Sequence, residues 1–415
     1  MNHANYDVVV IGAGAAGLMA AIHAAERGRR VLLLEKNRKP GVKILMSGGT
    51  RCNITHACDN QGIVEAFGKQ GRFLHAPLAA LGVQEVIEFF QAEGVAVKTE
   101  PTGKIFPVSD RALDVLNALL ARLRRSGATL ALSEPVVALA RDPASGGFRV
   151  QTPARSLVVP KVIVTTGGLS YPGCGTVGDG YAFARHFGHT IVPTRPALVP
   201  VTVQADWVAD LRGITIPDTG VRVVEADRHD RALAAQRGSL LFAHFGLSGP
   251  VVLDVSRAIS GHATPHQLRL ELDLLPTVNE AECDDWLRHE QSLGGKRQLA
   301  ALLAERLPRR LGELLLAQAQ VPADRRVASL TRGERSRTVQ ACKRLPVPVK
   351  GTLGYEKAEV TAGGVALDEV DSRTMQSKLA PGLFFAGEVL DLDGPIGGFN
   401  FQAAWSTGWL AGRSV

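Results

Sequence analysis

The hydrophobic pattern at the start of the chain predicts a strand, a turn and a helix in close succession. Val8–Ile11 is a continuous apolar run, which is typical of a strand buried on both faces of a parallel sheet. An alanine-rich segment predicts a helix that ends at Gly28, and a second apolar run at 31–34 predicts the next strand. No basic region precedes the apolar stretch 8–22, and its glycines favour this arrangement over a signal or membrane segment.

Similar patterns extend to about residue 165. Apolar residues at helical spacing predict two further helices, over 83–90 and 113–123, and Gly127 is the expected stop of the second. Strand-like apolar runs follow at 129–132, 136–140, 148–152 and 161–165.

The pattern changes at about Pro193, where short β-rich segments alternate with Pro and Gly. Segments at this spacing predict a small antiparallel sheet or barrel, and Val251–Val255 is one of its predicted strands. Leucines between Pro276 and Arg337 recur at helical spacing and predict helices. The chain returns to extended structure at 345–348.

Three glycines between the first predicted strand and helix have the spacing of a dinucleotide-binding turn. Gly12 can make the tight turn, Gly14 lets a pyrophosphate approach the backbone, and Gly17 lets the helix pack close to the strand. Ala15 and Ala16 then begin a helix whose N-terminal amides and dipole favour phosphate binding. Because the motif follows a strand and opens a helix, an accidental Gly-rich turn is the weaker interpretation.

Glu35 supplies the acidic partner that such a turn requires. It closes the second predicted strand, 18 residues after Gly17, where its carboxylate can accept hydrogen bonds from ribose hydroxyls. Glu35 followed by Lys36 disfavours the 2′-phosphate of NADP at this site. These two residues do not distinguish NAD from FAD as the bound cofactor.

Length and composition limit the class of protein. A chain of 415 residues with 45% hydrophobic residues and a mean hydropathy of +0.06 is typical of a globular enzyme of two or three domains. Because the apolar stretch 8–22 does not fit a signal or membrane segment, we expect a cytoplasmic protein without a membrane partner. The net charge of +7 is concentrated between Lys296 and Arg344, which hold twelve Lys or Arg against four Asp or Glu. A solvated helical face is the simpler explanation of this basic segment, and a nucleic-acid surface is the alternative.

Three widely separated segments together resemble the glutathione-reductase-type FAD fold. They are the glycine motif with Glu35, the strand end at 164–168, and Leu383–Glu388. Further motifs are similar to the HI0933-like flavoproteins over nearly the whole chain. These motifs are Ser47–Thr55, Thr166–Pro172, Gly178–Tyr181, Phe242–Pro250, Val360–Val365 and Asp393–Gln402.

The resemblance implies an α/β protein with a discontinuous Rossmann-like FAD-binding domain, over 1–192 and 346–415. It implies an inserted β-barrel-like domain over 193–275 and 335–345. Within that domain it implies a small helical domain over 276–334. This division agrees with the changes in sequence pattern.

The resemblance also implies the parts of a non-covalent FAD site. In that fold, the Ala-Gly-acid motif binds the ribitol and diphosphate side, and Glu388 stands here where Asp is usual. A last helix, beginning near Asn400, would point its N-terminus at the flavin pyrimidine. The predicted FAD-binding residues are Gly12, Gly14, Ala15, Ala16, Gly17, Glu35, Lys36, Lys43, Ser47, Gly48, Gly49, Arg51, Cys52, Asn53, Val136, Thr166, Gly167, Gly168, Gly387, Glu388, Gly397, Gly398, Phe399, Asn400, Phe401 and Gln402.

Three positions depart from the family pattern. Thr50 stands where the family commonly has Gly, His56 where it has Asn, and Cys174 where it often has Thr. The first two lie in a loop that we expect to border the flavin. They therefore bear on the substrate rather than on FAD binding.

The cysteines predict neither a disulfide framework nor a metal site. The chain has five cysteines and no CxxC pair, so we expect reduced thiols and no bound metal. A redox-active dithiol of Cys52 and Cys58 beside the flavin is the alternative.

The combined patterns predict an FAD-dependent oxidoreductase, reduced transiently by NAD(P)H, that acts on a small molecule rather than on nucleic acid. The resemblance suggests hydride delivery to a conjugated double bond. Arg51 could hold an anionic or carbonyl group of the substrate, or hydrogen-bond its own loop. His244 could donate a proton, or serve only in packing.

Two alternatives from other classes stay open. One is a nucleic-acid-directed flavoprotein, similar to tRNA-modifying enzymes, that docks through the basic segment. The other is a flavin-carrying protein without turnover. The sequence predicts no oligomeric state.

Overall fold

The computed structural model describes residues 6–415, with only the backbone described at 228–230. The strands in chain order are β1 (Val8–Ile11), β2 (Val31–Leu34), β3 (Thr55–His56), β4 (Val97–Thr99), β5 (Lys104–Pro107), β6 (Thr129–Ala131), β7 (Ala138–Arg141), β8 (Phe148–Gln151), β9 (Ser156–Val159), β10 (Lys161–Val164), β11 (Ile191–Ala197), β12 (Val201–Val203), β13 (Thr215–Glu225), β14 (Arg228–Ala243), β15 (Gly246–Ser248), β16 (Leu268–Asp273), β17 (Leu345–Thr352), β18 (Val360–Val365) and β19 (Leu383–Phe385).

The α-helices are distributed along the whole of this region. In chain order they are α1 (Ala15–Glu26), α2 (Val42–Thr50), α3 (Asn60–Ala66), α4 (His75–Ala80), α5 (Val83–Ala92), α6 (Ala112–Ser126), α7 (Asp179–His186), α8 (Trp207–Asp210), α9 (Pro250–Ser260), α10 (Glu280–Ser292), α11 (Leu299–Leu303), α12 (Arg309–Gln318), α13 (Arg332–Lys343) and α14 (Phe399–Ser414). The predicted helices over 83–90 and 113–123 are confirmed as α5 and α6. Gly127 ends α6 with a φ of 82°.

The chain divides into two compact units. The first contains the residues up to Pro196 together with Glu359–Val415, and the second is Ala197–Ala358. The first unit is built on a parallel sheet with the strand order β19-β10-β1-β2-β6. Each residue of β1 is buried, as its apolar run predicts. Since β19 pairs with β10, the segment near the C-terminus returns to the sheet that β1 begins.

Helices α1 and α14 pack closely, and they run in the same direction. A Cβ added to Gly408 would lie 2.3 Å from the carbonyl oxygen of Ala16, and one added to Gly412 would lie 2.4 Å from that of Ala20. Only glycine fits at these two contacts. From this register, α14 begins about 12 Å beyond the start of α1, at 1.5 Å of rise per residue.

Smaller antiparallel sheets complete the first unit. They have the strand orders β3-β5-β4 and β7-β8-β9, and β11 pairs with β18. In the described part of the chain, no single helix is long and apolar enough to cross a membrane. The bent pair Gly68–Ala80 and Val83–Ala92 meets that test by length and composition only.

The second unit contains a closed barrel with the strand order β12-β15-β14-β13-β16-β17. The predicted barrel-like sheet is thereby confirmed, but the predicted strand at Val251–Val255 is wrong. These residues lie in α9, where Pro250 occupies the first helical position and Gly249 precedes it. Val251, Val252, Val255 and Ile259 are buried and recur at helical spacing, so they form the buried face of this helix.

Helices α10 to α13 share one apolar core with the barrel. Leu287 and Leu315 from these helices belong to the same buried cluster as Leu270 and Val347 from the strands. The predicted boundary between 345 and 346 falls at the first residue of β17, which closes the barrel. The division of the chain into three domains stays a prediction.

Candidate functional site

Two of the three glycines after β1 are required by packing. Gly12 has a φ of 101°, and a Cβ there would lie 2.7 Å from the carbonyl oxygen of Thr165. A Cβ at Gly17 would lie 1.8 Å from the carbonyl oxygen of Gly12. The tight turn and the close approach of α1 therefore depend on both residues, as the glycine spacing predicts.

Neither backbone conformation nor packing explains the third glycine. Gly14 has φ −82° and ψ −167°, which any residue can adopt. Apart from Gly14 itself and its two chain neighbours, no heavy atom of the described chain lies within 4 Å of a Cβ added there. Gly14 directly precedes α1, whose first N–H groups have no acceptor within the helix. The open space at this position is where a phosphate can meet the backbone.

Glu35 is fixed beside this turn. It is 8% exposed, its Oε2 accepts a hydrogen bond of 2.8 Å from the Ala13 N–H, and its Oε1 accepts one of 2.8 Å from the Asn37 N–H. A carboxylate oxygen has more than one acceptor site, so both oxygens can still accept from a ligand. Lys36 is ion-paired with Asp179.

Glu388 joins three distant segments of the chain. Its Oε2 lies 2.5 Å from Lys43 Nζ, and its Oε1 accepts hydrogen bonds from the Ser170 hydroxyl, at 2.5 Å, and the Thr361 N–H, at 3.0 Å. Gly387 packs against α1, because a Cβ there would lie 2.7 Å from Ala16 Cβ. The Glu388 carboxylate is therefore paired within the chain and held close to the start of α1.

Ser170 and Thr361 also shape this site, although neither is among the predicted FAD-binding residues. The Thr361 hydroxyl accepts hydrogen bonds from the Leu169 and Ser170 N–H groups, so it fixes the loop that follows β10. Ser170 lies within a motif of the resemblance. Thr361 lies in a different motif, and no local signal connects the two.

The loop at the end of α2 has an unusual backbone. Ser47, Gly48 and Gly49 leave helical geometry, with φ of 56° and 67° at the two glycines. Thr50 and Cys52 also have positive φ, of 69° and 61°, which is uncommon for residues other than glycine. Strain of this kind concentrates at ligand-binding sites.

Arg51 is held by its own surroundings. Its Nη1 lies 2.6 Å from Glu100 Oε1 and 3.5 Å from Asp110 Oδ1. The guanidinium also lies 3.9 Å above the ring of Phe106, and Nε donates to the Gly48 carbonyl at 3.4 Å. These contacts favour the loop-holding interpretation of Arg51, and its catalytic role stays a prediction.

The segment after this loop contacts the first turns of α14. The Thr55 hydroxyl donates to Gln402 Oε1 at 2.6 Å, and the Trp405 indole donates to the Ile54 carbonyl at 2.9 Å. A Cβ at Gly398 would lie 2.5 Å from the Thr55 carbonyl. The sequence-predicted loop near residue 50 and the predicted turn before α14 are thus adjacent.

Side chains in the first turn of α14 contact the same helix or the turn that precedes it. Asn400 Oδ1 accepts from the Gly394 N–H at 2.8 Å, and its Nδ2 donates to the Gly394 carbonyl at 3.0 Å. Phe401 stacks on Trp405 with ring centroids 5.3 Å apart. The N–H groups of Gly398, Phe399, Asn400 and Phe401 have no acceptor within the helix, and they are the donors that the start of α14 can offer a ligand.

Two predicted cofactor residues carry buried polar atoms that lack partners. Asn53 Oδ1 and Thr166 Oγ1 are buried and have no hydrogen-bond partner among residues 6–415. A buried polar atom without a partner is costly, so such atoms are normally satisfied by protein, water or ligand. Together with the open space at Gly14, these atoms fit a polar ligand that lies along this edge of the sheet.

The remaining predicted residues lie as follows. Val136 is half-buried, two residues after Glu134, whose N–H donates to the Glu35 carbonyl at 2.9 Å. Gly167 has a φ of 71°, and a Cβ at Gly168 would lie 2.4 Å from Thr361 Oγ1. His244 follows β14 in the second unit, in edge contact with Phe245 at 5.1 Å. Its catalytic role stays a prediction.

The thiols near the loop are poorly suited to redox chemistry. All five cysteines are free. Complete burial raises the pKa of the Cys52 thiol to about 12, and burial also raises the pKa of Cys58. Because the thiolate is the reactive form, these values oppose the dithiol alternative.

A family model described as the HI0933-like protein Rossmann domain matches residues 6–414. The chain belongs to the HI0933-like family. This is a family of FAD-dependent oxidoreductases with a Rossmann-type FAD domain, so the flavoprotein fold expected from the sequence is confirmed.

Two relatives are similar over their full lengths. Ribosomal RNA dihydrouridine synthase of Escherichia coli (strain K12) is 34% identical over 413 residues, which cover 99% of this chain and 98% of that protein. The 3-dehydro-bile acid delta(4,6)-reductase of Clostridium scindens is 32% identical over 409 residues, which cover 98% of each chain.

Solved structures are similar at the level of the fold. A flavocytochrome c3 fumarate reductase matches with a TM-score of 0.50 and 17% identity, over 100% of this chain and 78% of that one. The Sdh1 complex of Mycobacterium smegmatis matches with a TM-score of 0.50 and 20% identity, over 99% of this chain and 68% of that one.

Proposed function

We propose that this protein is an FAD-dependent reductase, reduced by NAD(P)H, that reduces a carbon–carbon double bond conjugated to a carbonyl group in a small molecule. The names of the two full-length relatives support this reaction class. Dihydrouridine differs from uridine by reduction of a double bond conjugated to a carbonyl. A delta(4,6) bond system of a 3-dehydro steroid is likewise conjugated to its 3-oxo group.

The observation that carries FAD binding is the glycine at position 14. Its backbone conformation does not require glycine, and the described chain leaves the space beside it open. A ligand that approaches the backbone at the start of α1 explains the residue. The amides of α1 would hold the diphosphate, and Glu35 would accept hydrogen bonds from the adenosine ribose.

The backbone amides at the start of α14 would contact the flavin ring. This helix begins about 12 Å beyond the start of α1. Reduced FAD supplies the hydride for the reaction. The amides of α14 would favour negative charge on the pyrimidine side of the ring.

The deciding experiment is an anaerobic titration of the FAD-loaded protein with NADH and with NADPH. We expect one nicotinamide to bleach the flavin absorbance, and enones to restore it faster than quinones or oxygen do. A flavin that no nicotinamide reduces would indicate a protein that carries FAD without turnover. Reduction by nicotinamide without reoxidation by any enone would reject the proposed substrate class.

The same reduction on a uracil base within RNA is a second candidate function. It is favoured by the full-length relatives named ribosomal RNA dihydrouridine synthase, from Escherichia coli at 34% identity and from Haemophilus influenzae at 32%. The bond to be reduced is of the same type. The two candidates therefore differ in the substrate and not in the flavin chemistry.

The basic segment is partly neutralised within its own unit, which favours a small molecule. Between Glu280 and Arg344, thirteen Lys or Arg stand beside nine Asp or Glu. Ion pairs of this segment are Arg297–Glu290, Arg297–Glu305, Arg309–Glu313, Arg325–Glu334, Arg335–Asp284, Lys343–Asp273 and Arg344–Glu280.

Exposed arginines without carboxylate partners provide a test of RNA docking. Arg310, Arg326 and Arg332 are exposed, and none is ion-paired with a described residue. If RNA binds there, changing all three to Gln should weaken binding of a ribosomal RNA fragment and reduce its salt dependence. Changing the ion-paired Arg309 to Gln is the matched control. Dihydrouridine formation in that fragment would establish the second candidate.

A further inference from the structure

His56 lies at the end of β3, beside the turn that precedes α14. Its Nδ1 lies 3.0 Å from the carbonyl oxygen of Gly397. A carbonyl only accepts hydrogen bonds, so Nδ1 carries the proton and donates it to this oxygen. His56 is one of the positions where this chain departs from the family pattern.

The hydrogen bond fixes a peptide group that glycine leaves adjustable. Gly397 and Gly398 have φ of 134° and 97°, which residues with side chains rarely adopt. In a trans peptide, the C=O and the following N–H point in opposite directions. By holding the Gly397 carbonyl, His56 directs the Gly398 N–H away from its own ring.

The imidazole ring is itself held in place. It stacks on Phe399, the first residue of α14, with ring centroids 4.5 Å apart and an angle of 22° between planes. Gly103 lies against the same ring, because a Cβ added there would be 2.5 Å from His56 Nε2. The ring therefore joins the loop before β5 to the start of α14.

We propose that His56 is a positioning residue that fixes the amide donors at the start of α14 toward the pyrimidine side of bound FAD, and thereby raises the affinity for reduced over oxidised FAD. The inference rests on the proposed function only in that the cofactor is FAD. Reduction adds negative charge to the pyrimidine side of the ring, and fixed amide dipoles stabilise such charge. Loss of one hydrogen bond costs about 1 kcal/mol, so a misdirected amide should change this preference about fivefold to tenfold.

Two substitutions separate the hydrogen bond from the ring contact. His56→Asn keeps an N–H donor, because Asn Nδ2 occupies the same place in the side chain as His Nδ1. His56→Phe keeps an aromatic ring on Phe399 and removes the donor. For His56→Asn, we expect the ratio of the affinities for reduced and oxidised FAD to change less than twofold. For His56→Phe we expect this ratio to fall about fivefold to tenfold, which lowers the potential by about 20–30 mV for a two-electron couple.

The measurement is dye-equilibrated reduction of the FAD-loaded full-length protein with dithionite. It uses neither nicotinamide nor substrate, so its outcome is independent of the proposed reductase reaction. Thermal unfolding and FAD titration of each apoprotein establish that the variants fold. If His56→Phe does not fold, His56→Leu replaces it as the variant without a donor.

Two results would overturn the proposal. One is a wild-type potential in the variant without a donor. The other is an equal shift in both variants, which would assign the effect to the ring contact.

Discussion

Substitution of Gly14 by Val should remove FAD binding without unfolding the protein. The backbone at this residue is extended, and no heavy atom beyond the two neighbouring residues lies within 4 Å of an added Cβ. Val is less favourable than Gly at a helix N-cap, so we expect a loss of at most about 1 kcal/mol in the free energy of unfolding. The same side chain would fill the space where a diphosphate meets the amides of α1.

The expected loss of affinity follows from the contacts that the diphosphate would lose. Two hydrogen bonds from backbone amides to phosphate, at about 1.5–3 kcal/mol each, give about 3 kcal/mol or more. This corresponds to at least about a hundredfold weaker binding. Titration of the apoprotein with FAD, followed by flavin fluorescence, measures this change directly.

Two further glycines provide the controls. Gly173 also has ordinary φ and open space beside it, so Gly173→Val should keep both FAD and stability. Gly17→Ala places a Cβ 1.8 Å from the Gly12 carbonyl, so it should destabilise the apoprotein itself. A folded Gly14→Val protein that binds FAD with wild-type affinity would refute the assignment of this turn.

Three other predictions concern stability, pH and the catalytic candidates. Burial lowers the pKa of His23 to about 4, so the unfolded chain takes up this proton first and stability falls as pH drops below about 6.5. Between pH 7 and pH 4.5, the free energy of unfolding measured in urea should therefore fall about 2 kcal/mol less for His23→Leu than for the wild type. Thr50→Gly should stabilise the protein by about 0.5–1 kcal/mol in urea unfolding, because Thr50 has a φ of 69°; a destabilised variant would show that its hydroxyl matters more. Arg51→Ala should keep FAD and its reduction rate in stopped-flow, since Glu100 already binds the guanidinium. Slow reoxidation by substrate in Arg51→Ala or His244→Ala alone would assign that residue to the chemistry.

The sequence predicts the parts of the fold that depend on local pattern. Strand β1, the glycine turn, α1 and β2 lie within one short stretch, so their order and contacts follow from periodicity and glycine spacing. Helix α9 is an exception, because the predicted strand at Val251–Val255 rests on only five residues. Its apolar residues Val251, Val252, Val255 and Ile259 recur at helical spacing after Pro250, so the pattern over the whole of 250–260 indicates a helix, whereas 251–255 alone resembles a strand.

Pairings between distant segments could not be predicted from the residues alone. Lys43 and Glu388 are 345 positions apart, and Thr55 and Gln402 are 347 apart. A motif identifies such residues as important, but it does not show whether each side chain contacts a ligand or another part of the protein. That depends on how the segments approach each other in the folded unit.

The consequence for this site is that its polar side chains are largely engaged with one another. Glu388 is bound by Lys43 and Ser170, and Asn400 holds its own turn. Contacts with FAD would then come mostly from backbone amides at the starts of α1 and α14. Alanine substitution leaves such amides in place, so it would underestimate their contribution. Substitutions that add bulk at Gly14, or that redirect the peptide held by His56, act on the backbone donors themselves.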